Sequence, residues 1–83
     1  MAEYSSPLVA GPGGLMTDEV GVITGELELR STRDDSGAVT VSVRYAGADE
    51  WYGLTGASTA LADPADLEPL HELLVAVLNR PEG

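Results

Sequence analysis

Apolar and polar residues alternate one for one over two stretches in the middle of the chain. Leu27 and Leu29 take one side, against Glu26, Glu28 and Arg30 on the other; further on, Val39, Val41, Val43 and Tyr45 oppose Thr40, Ser42 and Arg44. A period of two sends successive side chains to opposite faces of a pleated backbone, so each stretch predicts a strand with one buried face. The first strand covers about Val22–Arg33, with Gly25 marking a bulge or bend. Asp34-Asp35-Ser36-Gly37 reads as a type I turn closed by a left-handed glycine. A second turn over Ala46–Glu50 leads to a third strand, Trp51 to about Ala57, whose alternation is less clean.

These turns predict a register. A loop at Asp35–Gly37 sets Asp34 opposite Ala38, and hence Leu29 opposite Val43, Leu27 opposite Tyr45 and Glu28 opposite Arg44. A loop centred on Gly47–Ala48 sets Arg44 opposite Trp51 and Val43 opposite Tyr52. Apolar residues then meet apolar residues in both hairpins, and a one-residue slip in either would destroy that agreement.

Past Ala62 the period changes. Leu67, Leu70, Leu74, Val77 and Leu78, widened by Leu73, recur at helical spacing, with Glu68, Glu72, Ala76 and Asn79 away from them. Pro69 cannot sit in the interior of a helix that begins at Pro64, because it lacks the N–H that the sixth residue must donate. Asp63 and Asp66 both offer N-caps, and the sequence therefore predicts a single turn at Pro64–Asp66 and then a main helix capped by Asp66, with Pro69 in its first turn. Arg80-Pro81 ends the helix and places a cation at the negative end of its dipole.

The fold class expected is α+β: a three-stranded antiparallel meander with one C-terminal helix packed on one face. Residues 20–83 make up this single β-β-β-α domain. Residues 1–19, with Ser5-Ser6-Pro7 and Gly11-Pro12-Gly13-Gly14, read as a flexible Gly/Pro-rich tail in which only Leu8–Ala10 offers a short edge strand. The glycine cluster is not a phosphate loop, since no strand precedes it and the chain has no lysine.

Composition narrows the function classes. Fourteen acidic residues against four arginines leave a formal net charge of −10 in 83 residues. Such a chain repels a phosphate backbone and an anionic membrane surface alike. No stretch has the roughly 20 apolar residues of a membrane span. The start of the chain lacks the basic and apolar regions of a signal peptide, so a cytoplasmic location is expected. Richness in Ala, Gly, Asp, Leu and Val without Lys, Phe or Cys suggests a GC-rich bacterial origin. Without cysteine there is neither a disulfide nor a thiolate metal site to reinforce a core that, at this size, contributes about 3–5 kcal/mol at best. Homodimerisation is a natural supplement.

Candidate chemistry is sparse. His71 is the only histidine and is placed at the border of the apolar stripe, half packed on the sheet. Asp18-Glu19, Asp34-Asp35 and Asp49-Glu50 fall mostly in turns and do not have the spaced ligands of a calcium loop. No serine lies in a nucleophile elbow. Neither enzymatic activity nor a cofactor is expected. The register singles out Trp51: if Tyr52 and Leu54 face the helix, Trp51 emerges on the polar sheet face beside Arg44, itself beside Glu28; the other reading of this less regular strand puts Trp51 in the core and Tyr52 outside. Trp and Arg are enriched among the residues that dominate binding energies. The expected function is therefore a small non-catalytic accessory, regulatory or adaptor module that binds another protein, or itself as a homodimer, through Trp51, Arg44 and Glu28. The alternative is an acidic inhibitor or nucleic-acid mimic occupying a basic surface; a small-molecule enzyme relying on His71 is the third option.

Overall fold

The computed structural model describes residues 2–81. It is an α+β fold, an antiparallel sheet with one C-terminal helix packed against it, and the sheet has four strands rather than three. They are β1 (Ala2–Thr17), β2 (Gly21–Arg33), β3 (Ala38–Tyr45) and β4 (Tyr52–Ala60); a 3-10 turn at Pro64–Asp66 leads into α1 (Leu67–Leu78). Consecutive strands pair, and Thr17 of β1 also pairs with Leu54 of β4, which closes the sheet into a small ring.

The additional strand is the segment expected to be a tail. Leu8, Ala10 and Leu15 point into the core and are buried, while Ala2, Tyr4, Ser6 and Thr17 take other positions on the same face. The Gly11–Gly14 cluster does not end the strand. It forms a bulge: pairing steps from Ala10↔Gly25 to Leu15↔Ile23, so extra residues of β1 stand opposite one residue of β2. Polar inward positions and glycines at the bulge hide the alternation, which is why this stretch lacks a strand signal.

The expected register is observed. Leu29 pairs with Val43, Leu27 with Tyr45, Glu28 with Arg44 and Val43 with Tyr52. The Asp34 carboxylate organises the first turn, accepting from the Ser36 hydroxyl at 2.6 Å and from the Ser36 and Ala38 N–H groups. The Ser36 hydroxyl bond, with the Ala38 amide behind it, holds the Asp34 carboxyl below the usual carboxylate range. Leu29 and Val43 are fully buried at the centre of a core completed by Leu8, Ile23, Leu27, Val39, Val41 and Leu67. Tyr45 shares their face but lies at the end of β3, where it is exposed. β4 runs on to Ala60, past the expected Ala57, by way of its own bulge opposite Val41.

The helix differs in its cap and its face. Asp66 makes no capping bond; the Asp63 carboxylate accepts from the Ala65 N–H at 2.9 Å and starts the 3-10 turn one step earlier. Asp63→Ala should therefore cost about 1 kcal/mol in a urea unfolding curve, while Asp66→Ala changes it little. The buried face of α1 runs through Leu67 and His71 to the partly buried Leu70, Leu74, Val75 and Leu78; Leu73 and Val77 are exposed. His71 thus sits on the buried face and not at its border. Beyond the helix, the Asn79 side chain accepts from the Val9 N–H at 2.9 Å and the Arg80 N–H donates to the Val9 carbonyl at 2.7 Å. The end of α1 is thereby tied to the free edge of β1.

Candidate protein-binding face

Trp51 lies one residue before β4, and the pairing of Val43 with Tyr52 puts it on the outer face of the sheet. Glu28 and Arg30 reach that face from β2, and Ser42 and Arg44 from β3, because each pair is two residues apart on its strand. Their side chains form one cluster. The Arg44 guanidinium grips Glu28 with two bonds, Nε to Oε1 at 3.1 Å and Nη2 to Oε2 at 3.3 Å. This hydrogen bond holds the Glu28 carboxyl below its usual range. The guanidinium carbons of Arg44 and Arg30 stand 4.5 and 4.1 Å from the Trp51 ring centroid. Ser42, on a nominally polar face, is only 7% exposed, which places it beneath this cluster.

Arg30 is the member that the sequence reading missed. Its signal was the register itself: Arg30 pairs with Ser42, one row along from Glu28 and Arg44, so it lies diagonally within reach of an indole on the third strand. Its Nε is buried without a hydrogen-bond acceptor among the described residues. Cation–π attraction compensates part of that desolvation, by about 0.5–2 kcal/mol. Two of the four arginines of an acidic chain are thus gathered on one indole.

A second polar cluster lies on the inner side. His71 is 4% exposed, its Nε2 lies 2.8 Å from the Ser6 hydroxyl and its Nδ1 2.8 Å from the Ser31 hydroxyl. The Tyr4 ring lies alongside with its centroid 6.0 Å away. Burial lowers the imidazole pKa from its usual value, against a smaller upward pull from Glu72. A serine bonded to a histidine satisfies the first geometric requirement of nucleophilic catalysis. The rest of the machinery does not follow. The group orienting His71 is a hydroxyl rather than a carboxylate, and it offers little to an imidazolium. Ser6 occupies a β1 position paired with Leu29, where ladder alternation directs its N–H to β2, and the next residue is Pro7, which has no N–H. The backbone amides best placed for an oxyanion hole are therefore spent or absent.

The Asp18–Glu19 pair anchors β4. The Glu19 carboxylate accepts from the Gly53 N–H at 2.9 Å, the Asp18 N–H donates to the Gly53 carbonyl at 3.0 Å, and Asp18 Oδ1 accepts from the Thr55 hydroxyl at 2.8 Å. These bonds hold β4 against the end of β1 and close the ring. Among the described residues no group of three or more His, Asp or Glu side chains is arranged to hold a metal ion. Nor is any helix among them long and apolar enough to cross a membrane. Clefts of about 250, 100 and 350 Å³ flank the Gly11–Gly14 bulge, the α1–β4 groove and the Val9–Ala46 end of the sheet. None of them converges on His71 or on a set of polar groups of the kind that orients a small ligand. Comparison with protein-family models, curated proteins and solved structures finds no match to this chain.

Proposed function

We propose that the chain is a small non-catalytic module that binds another protein through the face built on Trp51, Arg44 and Glu28, with Arg30 as its fourth member. The observation that supports this is the indole on the outer sheet face with two guanidinium groups within 4.5 Å of its ring. An aromatic residue pre-positioned by its neighbours loses little conformational entropy when a partner closes over it. The arginines also form a cationic island on a surface that is acidic elsewhere, suited to a partner that presents a carboxylate beside an apolar group.

Affinity capture with the full chain, using Trp51→Ala and Arg44→Ala as controls, tests the reading. A partner retained by the native chain is expected to lose about tenfold or more in affinity with Trp51→Ala. Circular dichroism should show the fold intact in that variant. Binding should survive a rise to about 0.5 M salt, because an interface centred on an aromatic residue is only partly electrostatic. Capture that collapses with salt and ignores Trp51 would instead support an acidic mimic occupying a basic surface. If no captured partner depends on Trp51, the face has no binding role.

A further inference from the structure

We infer that β4 pairs edge to edge with β4 of a second copy of this chain, antiparallel and about a two-fold axis. This surface is separate from the outward face of Trp51, so either can fail without the other.

The two sheet edges are treated in opposite ways. Along β1, the groups of Val9 that face away from β2 are taken up by Asn79 and Arg80. Two residues earlier on the same side stands Pro7, which has no N–H to offer. Proline and a covering segment are the usual means by which a protein blunts an exposed strand edge. β4 has neither. On one side it pairs with β3; on the other its only strand pairing is Leu54 with Thr17. Ala38 directs its carbonyl to the Asp34 N–H on the β2 side, so its partner Ala60 points its own N–H and C=O away from β3. By the same alternation Ser58 does so too. Ser58, Thr59 and Ala60 are all exposed. Beside them runs a groove of about 100 Å³, lined by Val41 and Ala57 of the sheet and Leu70 and Leu74 of α1, where side chains of an arriving strand would lodge.

Charge identifies the occupant. Trp51–Ala62 carries no Asp, Glu, Lys, Arg or His, in a chain whose net charge is −10. A basic partner would be drawn to the carboxylates elsewhere, including Asp18 and Glu19 at Thr55 and Gly53, whereas two copies can approach along Ser58–Ala60, where the strand itself carries no carboxylate. The two-fold is also compatible with the strand's own hydrogen-bond pattern. Centred on Thr59, it sets Ser58 against Ala60 of the second copy and Ala60 against Ser58, the residues whose backbone groups already point outward. Each pair exchanges two N–H···O=C bonds. Because the β1 edge is blunted, each copy has one edge to give, and pairing stops at a dimer instead of growing into a fibre.

Sedimentation velocity of the full chain over a range of concentrations tests this. A species of twice the 8.6 kDa chain mass is expected at micromolar concentration, tightening as salt screens the repulsion between two acidic copies. Ser58→Pro removes an outward N–H and leaves the β3 ladder intact, so it should weaken the dimer about tenfold or more. Ser58→Glu, which brings two carboxylates together near the axis, should do the same without altering backbone geometry. A chain that stays monomeric to about 1 mM at high salt overturns the inference. So does a dimer that both Ser58 variants leave intact, or one that Trp51→Ala dissolves while they do not.

Discussion

Replacing Gly14 by alanine is expected to remove most of the protein's stability, although the residue lies in the stretch that looks least structured in the sequence. Gly14 has φ of +65°, a backbone conformation that costs an L-residue about 1–2 kcal/mol. A Cβ there would also run into Val22 Cγ1 and come within 2.7 Å of the Ile23 carbonyl oxygen. Val22 is exposed and can turn aside, but Ile23 is buried in β2 and its carbonyl is main chain. Overpacking of this kind costs about 1–3 kcal/mol. Together the two terms amount to about 2–5 kcal/mol, the whole of what a core this small supplies. Gly13→Ala is the matched control. Gly13 does not have a positive φ, and nothing lies within 4 Å of an added Cβ. That substitution should be neutral or stabilise by about 0.4–1 kcal/mol through the unfolded chain. Urea unfolding of both variants measures the difference, and equal midpoints would show that the bulge is not packed as described.

The second large effect is at His71. A neutral imidazole donates through one nitrogen and accepts at the other, so either tautomer satisfies both Ser6 and Ser31. His71→Ala empties a buried site and leaves the fully buried Ser31 hydroxyl without its partner, at a cost of about 2–4 kcal/mol. Ser31→Ala, which leaves Nδ1 unpaired, should cost about 1–3 kcal/mol, and Ser6→Ala less, since Ser6 is only half-buried.

The same site makes stability depend on pH. Burial holds the folded-state pKa of His71 below its usual value of 6.5, so as pH falls the unfolded chain takes up the proton first. The stabilisation is complete above about pH 6.5 and is lost as pH falls through that value toward the folded pKa. Glu72 on α1, Tyr4 and Ser6 on β1 and Ser31 on β2 surround the ring, and Glu72 alone among them pulls the pKa upward. His71→Gln keeps hydrogen-bonding capacity without the titration. The difference in stability between the native chain and this variant should shrink from pH 7.5 to pH 5.5 (roughly one unit either side of the free value). A constant difference would mean that the ring is not buried in the neutral form.

These two positions also mark where sequence reading ends. Gly14 and Ser6 belong to a strand that depends on partners far away in the chain. The inward position of Ser6 is satisfied by a helix residue 65 positions later, and the extra residues of Gly11–Gly14 are absorbed by a bulge against β2. A window of ten residues contains neither partner. His71 was misplaced for the same reason: on a helix considered alone a histidine belongs at the polar border, and only two serines from the sheet make its burial affordable.

The face of Trp51, Arg44 and Glu28 was legible because it follows from local rules. Strict alternation in β2 and β3 and the lengths of the two loops set the register, and the register dictates which side chains share a face. Its fourth member, Arg30, needed the reach of an indole across a diagonal, which is a matter of side-chain conformation rather than spacing.

By itself, then, the sequence determined the two central hairpins and the single C-terminal helix, consequences of periodicity and turn chemistry within about 25 residues, while the outward direction of Trp51 stayed one of two readings until the pairing of Val43 with Tyr52 decided it. Tertiary structure alone decided that residues 2–17 join the sheet, that His71 is buried between two hydroxyls, and that one sheet edge is blunted while the other is left open. Each of those depends on contacts between segments distant in sequence, where a polar residue or a glycine gains its place from a partner and not from its neighbours.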